Sequence, residues 1–207
     1  MKTIAIALTG MALFAAAPAV AQTNLLANGS FESGATSWTS AGSTSFTTAV
    51  AAGVSVSPFP TSAGSPDAAG TKVAQLLSSS GVTPSTISQS ISVVAGTIYS
   101  IGYDLVLFNA AAAGTFSTTV KLGAVTLAGL TVASGSLTSG TWVEKIVTFK
   151  ALSTGTQALT VTYTPTATAS KSVAVDRVYV QNIPEPASAL LLLAGAAGLY
   201  RVRRRKS

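Results

Sequence analysis

The sequence predicts an all-β protein, a single antiparallel β-sandwich flanked by an N-terminal signal-peptide helix and a C-terminal transmembrane helix. Three observations support this fold class. Apolar and polar residues alternate with a period of two through the middle of the chain. Gly, Pro and Ser interrupt the alternation at short intervals, as turns between strands do. An apolar run lies near each end of the chain.

The first element has the pattern of a cleavable signal peptide, residues 1–21. Lys2 supplies a positive charge, residues 4–17 are apolar, and Ala19 and Ala21 are the small residues that a signal peptidase accepts. Cleavage after Ala21 would leave Gln22 as the first residue of the mature chain. An uncleaved N-terminal anchor is the alternative interpretation.

The second element is one domain, residues 22–182, which is long enough to bury a substantial core. Residues 54–70 contain three prolines and indicate a long loop or an irregular edge. No long stretch of the domain has the 3.6-residue period of a helix. Apolar side chains fall on one face of a strand in six segments: 87–93, 99–107, 116–122, 143–149, 159–163 and 173–178.

Composition excludes several classes of function. The chain carries 12 Lys and Arg, 6 Asp and Glu, and a net charge of +6. Lys2 and five tail residues hold half of the cations, so the domain itself is close to neutral and has no basic stripe for nucleic acid. Cysteine is absent, so there are no disulfides. Histidine is also absent, which removes the usual general base and the usual transition-metal ligand.

The third element, residues 183–207, combines a stiff break, an apolar run and a basic tail. Pro184, Glu185 and Pro186 form the break, and residues 187–200 are apolar. With flanking residues the apolar run predicts a transmembrane helix over about 187–202, whereas a buried or an interfacial helix would not combine an apolar run with this tail. The cations that would stop transfer and stay in the cytoplasm are Arg201, Arg203, Arg204, Arg205 and Lys206.

This arrangement resembles the PEP-CTERM sorting signal of exopolysaccharide-producing Gram-negative bacteria. The resemblance covers about residues 183–206, and Ile183 departs mildly from the residue that more often precedes the motif. It implies that an exosortase processes the tail near Pro184–Pro186 after the protein is held transiently in the inner membrane. The processed product would then reside at the cell surface or in the extracellular matrix.

A second resemblance covers most of residues 24–180. The opening segment 24–32 with Trp38, the segments 89–91, 96–99 and 140–142, and the final 175–178 look like galactose-binding-like jelly rolls, which include many carbohydrate-binding modules. The resemblance implies a structural Ca²⁺ held by Glu32 and Asp176, two hard oxygen ligands that would join the first and last strands. The alternatives are a surface carboxylate or a cap for Glu32, and for Asp176 a salt bridge with Arg177 or Lys171.

Four residues are candidate contacts for a sugar: Trp142, Phe108, Asp104 and Glu144. An exposed aromatic ring stacks on a pyranose, and neighbouring polar groups fix its orientation. The alternatives are that Trp142, like Trp38, plugs an end of the sandwich, that Phe108 covers a loop, and that the two carboxylates are exposed and inert.

The two resemblances, together with the absence of His and the scarcity of carboxylates, imply a non-catalytic protein that binds or organises extracellular polysaccharide. A structural adhesin or filler without sugar recognition is the alternative, and a glycan hydrolase, which needs two carboxylates flanking a cleft, is a distant third.

Overall fold

The computed structural model describes residues 23–49, 70–77, 83–108, 114–166 and 172–183, all within one compact unit, Gln22–Ile183. Several sequence predictions fall outside these residues. They are the signal-peptide cleavage at Ala19, Ala21 and Gln22, most of the proline-rich loop, the motif Pro184, Glu185 and Pro186, the transmembrane helix, and the tail cations Arg201, Arg203, Arg204, Arg205 and Lys206.

Eleven strands and two short 3-10 helices make up the regular structure of the described residues. The helices are Ala128–Leu130 and Ser134–Ser136. In the described part of the chain, no helix is both long and apolar enough to cross a membrane. The strands are β1 Thr39–Ala41, β2 Thr44–Thr48, β3 Lys72–Leu76, β4 Ser85–Val93, β5 Ile98–Phe108, β6 Phe116–Leu122, β7 Val125–Thr126, β8 Val132–Ala133, β9 Trp142–Lys150, β10 Gly155–Pro165 and β11 Ser172–Asn182.

The strands form two antiparallel sheets, which confirms the all-β prediction and agrees with a β-sandwich. The six-stranded sheet has the order β1-β4-β10-β6-β7, with β8 also paired to β6. The five-stranded sheet has the order β2-β3-β11-β5-β9. Most neighbours in these orders are not consecutive in sequence, so the chain crosses repeatedly between the sheets.

The core lies between the two sheets and follows the predicted alternation. In β4, Ile87, Ile91 and Val93 are buried while Ser90 and Ser92 are exposed. The inner residues of β5, β6, β10 and β11 join them in one apolar cluster. Burial of this apolar surface, at about 25 cal/mol per Å², is the main stabilising term for a chain that has no disulfides.

Strand β11 is central in the five-stranded sheet and is buried on both faces, except for its last residue. A β-bulge interrupts its pairing with β5 between Asp176 and Tyr179. Within the bulge Arg177 adopts a left-handed conformation, with φ of 46°. The extra residue keeps the apolar residues on the core side before and after it, while Asp176 and Arg177 stay outside the apolar cluster.

The N-terminal segment closes one side of the sandwich through backbone hydrogen bonds. Leu25 N donates to Val180 O at 2.7 Å, and Val178 N donates to Gly29 O at 2.9 Å. The Gln89 side chain holds Ala27 in the way a neighbouring strand would. Ala27 N donates to Gln89 Oε1 at 2.6 Å, and Gln89 Nε2 donates to Ala27 O at 2.9 Å.

Candidate functional site

The outer face of the five-stranded sheet, the side away from the six-stranded sheet, carries a row of three carboxylates. Asp104 of β5 pairs in register with Glu144 of β9 on one side and with Asp176 of β11 on the other. Side chains directly opposite each other on neighbouring strands lie about 4.5–5.5 Å apart at Cβ. The alternation along β5 and β9 puts the Asp104 and Glu144 side chains on the outer face, and the register of the two strands makes them neighbours.

Arg177 neutralises part of this row. Its Nε donates to Asp104 Oδ2, and its backbone N donates to Asp176 Oδ1 at 2.7 Å. The guanidinium bonds to Asp104, while its charge also lowers the pKa of Asp176 against the larger effect of burial. Lys171, the other partner considered for Asp176, lies outside the described residues. The interpretation of Asp104 as an exposed carboxylate is wrong, because Asp104 is only 1% exposed and Arg177 is buried beside it.

Two buried oxygens of the carboxylate row accept no hydrogen bond from any residue that the structure describes. They are Asp104 Oδ1 and Asp176 Oδ2. Burial raises the pKa of Asp104, with Arg177 opposing, and burial raises the pKa of Asp176 to about 8, with Asp104 and Glu32 adding to the rise. Buried acceptors without a donor are costly, about 1–3 kcal/mol each. The row is therefore suited to a cation or to hydroxyl donors.

Trp142 lies at one end of the carboxylate row and opposite Val106. Its indole is only 6% exposed and packs in a second apolar cluster, on the outer face, with Ala49, Val73, Val106 and Ala174. Because the Trp142 indole is buried among these side chains, it contributes to packing in this conformation.

Trp38 and the second aromatic candidate, Phe108, occupy different places. Trp38 packs on Phe31 with ring centroids 5.2 Å apart, and its Nε1 donates to Asn28 O at 3.0 Å, so it is a core residue. Phe108 ends β5 opposite Ser172. The structure describes the backbone of Phe108 but not its side chain, so its contact with sugar stays a prediction.

Glu32 anchors the start of β3 to the N-terminal segment. Its Oε1 accepts hydrogen bonds from Thr71 N at 2.8 Å and Lys72 N at 2.7 Å, and Lys72 Nζ donates to Glu32 O at 2.8 Å. This arrangement agrees with the cap that was the alternative interpretation of Glu32. The negative charge of Glu32 also contributes to the raised pKa of Asp176.

The residues predicted to hold calcium fit a cation in part. Asp176 offers an orphaned buried oxygen, and Glu32 adds a second negative charge near it. Among the described residues, however, no group of three or more His, Cys, Asp or Glu side chains is arranged to hold a metal. Main-chain carbonyls and water would have to complete the coordination of a Ca²⁺ ion, which takes six to eight oxygens.

Sequence reasoning missed a polar cavity of about 530 Å³ between the N-terminal segment and β4. The alternating Ser88 and Ser90 were the available signal, but the cavity needs the N-terminal segment to dock beside them. Its lining residues are Leu25, Ala27, Ser37, Thr39, Ser88, Gln89 and Ser90.

Three solved structures illustrate what the fold is similar to. TmCBM61, a carbohydrate-binding module in complex with β-1,4-galactotriose, has a TM-score of 0.52 at 16% identity, covering 78% of this chain and 99% of its own. The Stig cyclase Fisc from Fischerella sp. TAU has a TM-score of 0.51 at 14% identity, covering 79% and 98%. The arabinose-bound MgGH51 α-L-arabinofuranosidase has a TM-score of 0.51 at 15% identity, covering 77% and 26%.

These similarities show the fold alone. No protein-family model matches the chain, and no curated protein matches it. The similar structures include a binding module and enzymes, so the sandwich by itself does not separate binding from catalysis. The jelly-roll fold expected from the second resemblance is supported.

Proposed function

We propose that this chain is an exported, non-catalytic module that binds or organises polysaccharide at the bacterial cell surface or in the extracellular matrix. The polysaccharide would contact the outer face of the five-stranded sheet. The observation that carries this proposal is the carboxylate row with its two orphaned buried oxygens, next to the indole of Trp142. These oxygens lack a hydrogen-bond donor, and the hydroxyl groups of a sugar could supply one. The similarity in fold to a carbohydrate-binding module supports the same interpretation.

Access to this face requires an opening step. Asp104 is 1% exposed and Trp142 is 6% exposed, so a saccharide can contact them only in a conformation that exposes them more. Binding that needs such a change is expected to have a slower association rate than the usual 10⁵–10⁷ M⁻¹s⁻¹ range for rigid partners.

A glycan array that includes the producing strain's own exopolysaccharide tests sugar binding. Glu144→Gln keeps the shape of the side chain and removes its charge, so we expect weaker retention with an unchanged melting temperature. Trp142→Phe should weaken binding less than Trp142→Ala, which also removes packing. Thr148→Ala is the matched control, because Thr148 is exposed further along the same strand. No retention of the unmodified protein on any glycan would contradict the proposal.

We further propose that a structural Ca²⁺ joins Glu32 and Asp176. When bound, the ion would neutralise the two carboxylates and tie the N-terminal segment to β11. A ligand that binds only the folded state raises stability by RT ln(1 + [L]/Kd). We therefore expect a chelator to lower the melting temperature of the unmodified protein and to leave that of Asp176→Asn unchanged. If the chelator leaves the melting temperature unchanged, the proposal of a structural Ca²⁺ is contradicted.

The sorting part of the proposal concerns residues outside the described structure. Export would be followed by signal-peptidase cleavage before Gln22 and exosortase processing near Pro184–Pro186. Intact-mass measurement of the protein from the medium and membrane fractions of the producing culture tests both events. If the protein in the membrane fraction still carries residues 201–207, the tail is an unprocessed membrane anchor and the sorting proposal is contradicted.

A structural surface component without sugar recognition is the second candidate function. The packing of Trp142 in an apolar cluster favours it, because an indole that fills space is not free to stack on a sugar. A glycan hydrolase is the third candidate and draws support only from the adjacency of Asp104 and Glu144. Release of reducing ends from a bound glycan, lost in Glu144→Gln, would favour the hydrolase over both binding proposals.

A further inference from the structure

One end of the sandwich, named here the exit end, consists of the turns 94–97, 123–124 and 151–154 together with Ile183. Backbone hydrogen bonds join two of the turns: Gly96 N donates to Ala151 O at 2.8 Å, and Ala151 N donates to Thr97 O at 3.0 Å. A cavity of about 370 Å³ connects the third turn to them, since it is lined by Gly123, Ala124 and Leu152 among others. Ile183 N donates to Ile98 O at 2.8 Å, so the chain leaves the described domain at this end.

The exit end exposes large apolar side chains. Leu152 is 85% exposed, Val94 is 56% exposed, and Val125 and Ile98 are 44% and 43% exposed. Four of the six large apolar side chains found exposed in the described residues thus cluster in one place. An exposed apolar cluster at the tip of a soluble domain indicates contact with a partner or with a lipid surface.

The charges around the exit end are positive. Lys150 ends β9 opposite Ile98, and Lys121 stands just before the turn at Gly123, and both are exposed. Among the described residues, Asp104, Glu144 and Asp176 each lie six positions along their strands from this end, about 20 Å away. The remaining described acid, Glu32, is bound to the start of β3 and not to these turns.

The sequence that follows Ile183 favours a lipid surface as the partner. Three residues, Pro184, Glu185 and Pro186, separate the domain from the apolar run 187–200. A fully extended linker of three residues spans only about 10 Å. If the apolar run enters a bilayer, the exit end is therefore held at the bilayer surface.

We propose that the exit end rests on the lipid bilayer while the tail anchors the protein, with Leu152 and Val94 inserted among the headgroups and Lys121 and Lys150 facing anionic lipid. This inference rests on the membrane anchoring that is part of the proposed function. It does not depend on sugar binding. Apolar side chains flanked by Lys are the composition of surfaces that lie in the interface.

The absence of native cysteine allows a direct test with single labels. Leu152→Cys and Thr141→Cys are each prepared in the tail-bearing protein, purified from membranes of a host without exosortase, and labelled with an environment-sensitive fluorophore. Thr141 is the control because it is exposed and precedes β9, whose nine residues separate it from the exit end by about 30 Å. Vesicles contain equal parts of phosphatidylcholine and phosphatidylglycerol, with quencher on the acyl chains.

We expect both proteins to float with the vesicles and only the label at 152 to be quenched, at a depth of about 5–10 Å below the headgroup boundary. Replacing Lys121 and Lys150 by Gln should reduce this quenching without preventing flotation. Flotation with equally unquenched labels would overturn the inference and leave the anchor intact. Failure to float would overturn both. A label at 152 that is shielded without vesicles would show that another part of the chain, or a second copy, covers the exit end.

Discussion

Gly102 shows how little room the outer face leaves at the level of a single residue. A Cβ at this position would stand 2.5 Å from the Tyr179 hydroxyl and 2.7 Å from Lys145 O. The Tyr179 ring therefore lies across the glycine on the neighbouring strand, where the two residues pair in register. Any side chain at Gly102 must displace a buried ring or a backbone carbonyl.

We expect Gly102→Ala to destabilise the fold by about 1–3 kcal/mol, the usual cost of overpacking. Urea unfolding measures the change. Gly135→Ala is the control, because its Cβ would meet no atom within 4 Å and should change stability by less than about 0.5 kcal/mol. Equal unfolding midpoints for the two variants would contradict the described packing.

The raised pKa of Asp176 predicts an unusual dependence of stability on pH. An ordinary Asp has a pKa of 3.8, whereas that of Asp176 is about 8 in the folded protein. Between these values the folded state keeps a proton that the unfolded state releases, so stability falls as the pH rises from about 4 to about 8. Asp176→Asn should reduce this slope when stability is measured by urea unfolding in chelator, and Asp104 accounts for a residual slope. Identical slopes would contradict the prediction.

At the level of elements, the six strands with clear alternation correspond to β4, β5, β6, β9, β10 and β11. Strands β1, β2, β3, β7 and β8 were not anticipated. Every residue of β1 is exposed, so no alternation marks it, and β3 buries the consecutive residues Val73 and Ala74. The meeting of Asp104 with Glu144 could not be predicted either. A period of two assigns each residue to a face, whereas the neighbour across the strand depends on turn lengths and bulges.

The Gln89 side chain links the N-terminal segment to β4 through two hydrogen bonds to the Ala27 backbone. Replacing it with Leu removes both hydrogen bonds to the Ala27 backbone, at a cost of about 0.5–1.5 kcal/mol each. Hydrogen exchange at the Ala27 amide should accelerate accordingly. Ser90→Ala, on the exposed face of the same strand, should leave exchange unchanged. Unaltered exchange at Ala27 in the Gln89→Leu protein would show that other contacts hold the segment.

For the whole molecule, the decisive element is the last strand. Strand β11 pairs with β3 on one edge and β5 on the other, so the five-stranded sheet is split in two without it. We expect a chain truncated after residue 171 to be digested rapidly by protease and one truncated after Ile183 to resist digestion. Equal resistance of the two truncated chains would show that the core forms without its central strand.

The position of β11 also sets when the protein can fold. For a chain exported N-terminus first, as the sequence predicts, the sheet cannot close until residue 182 has crossed the membrane. If export follows that course, the chain would cross the membrane as an unfolded polymer. Pairing of β11 with β3 and β5 would then oppose its return through a narrow channel, because return would require the domain to unfold. Folding would in this way make the transfer one-directional, and it would be completed just before the apolar run reaches the bilayer.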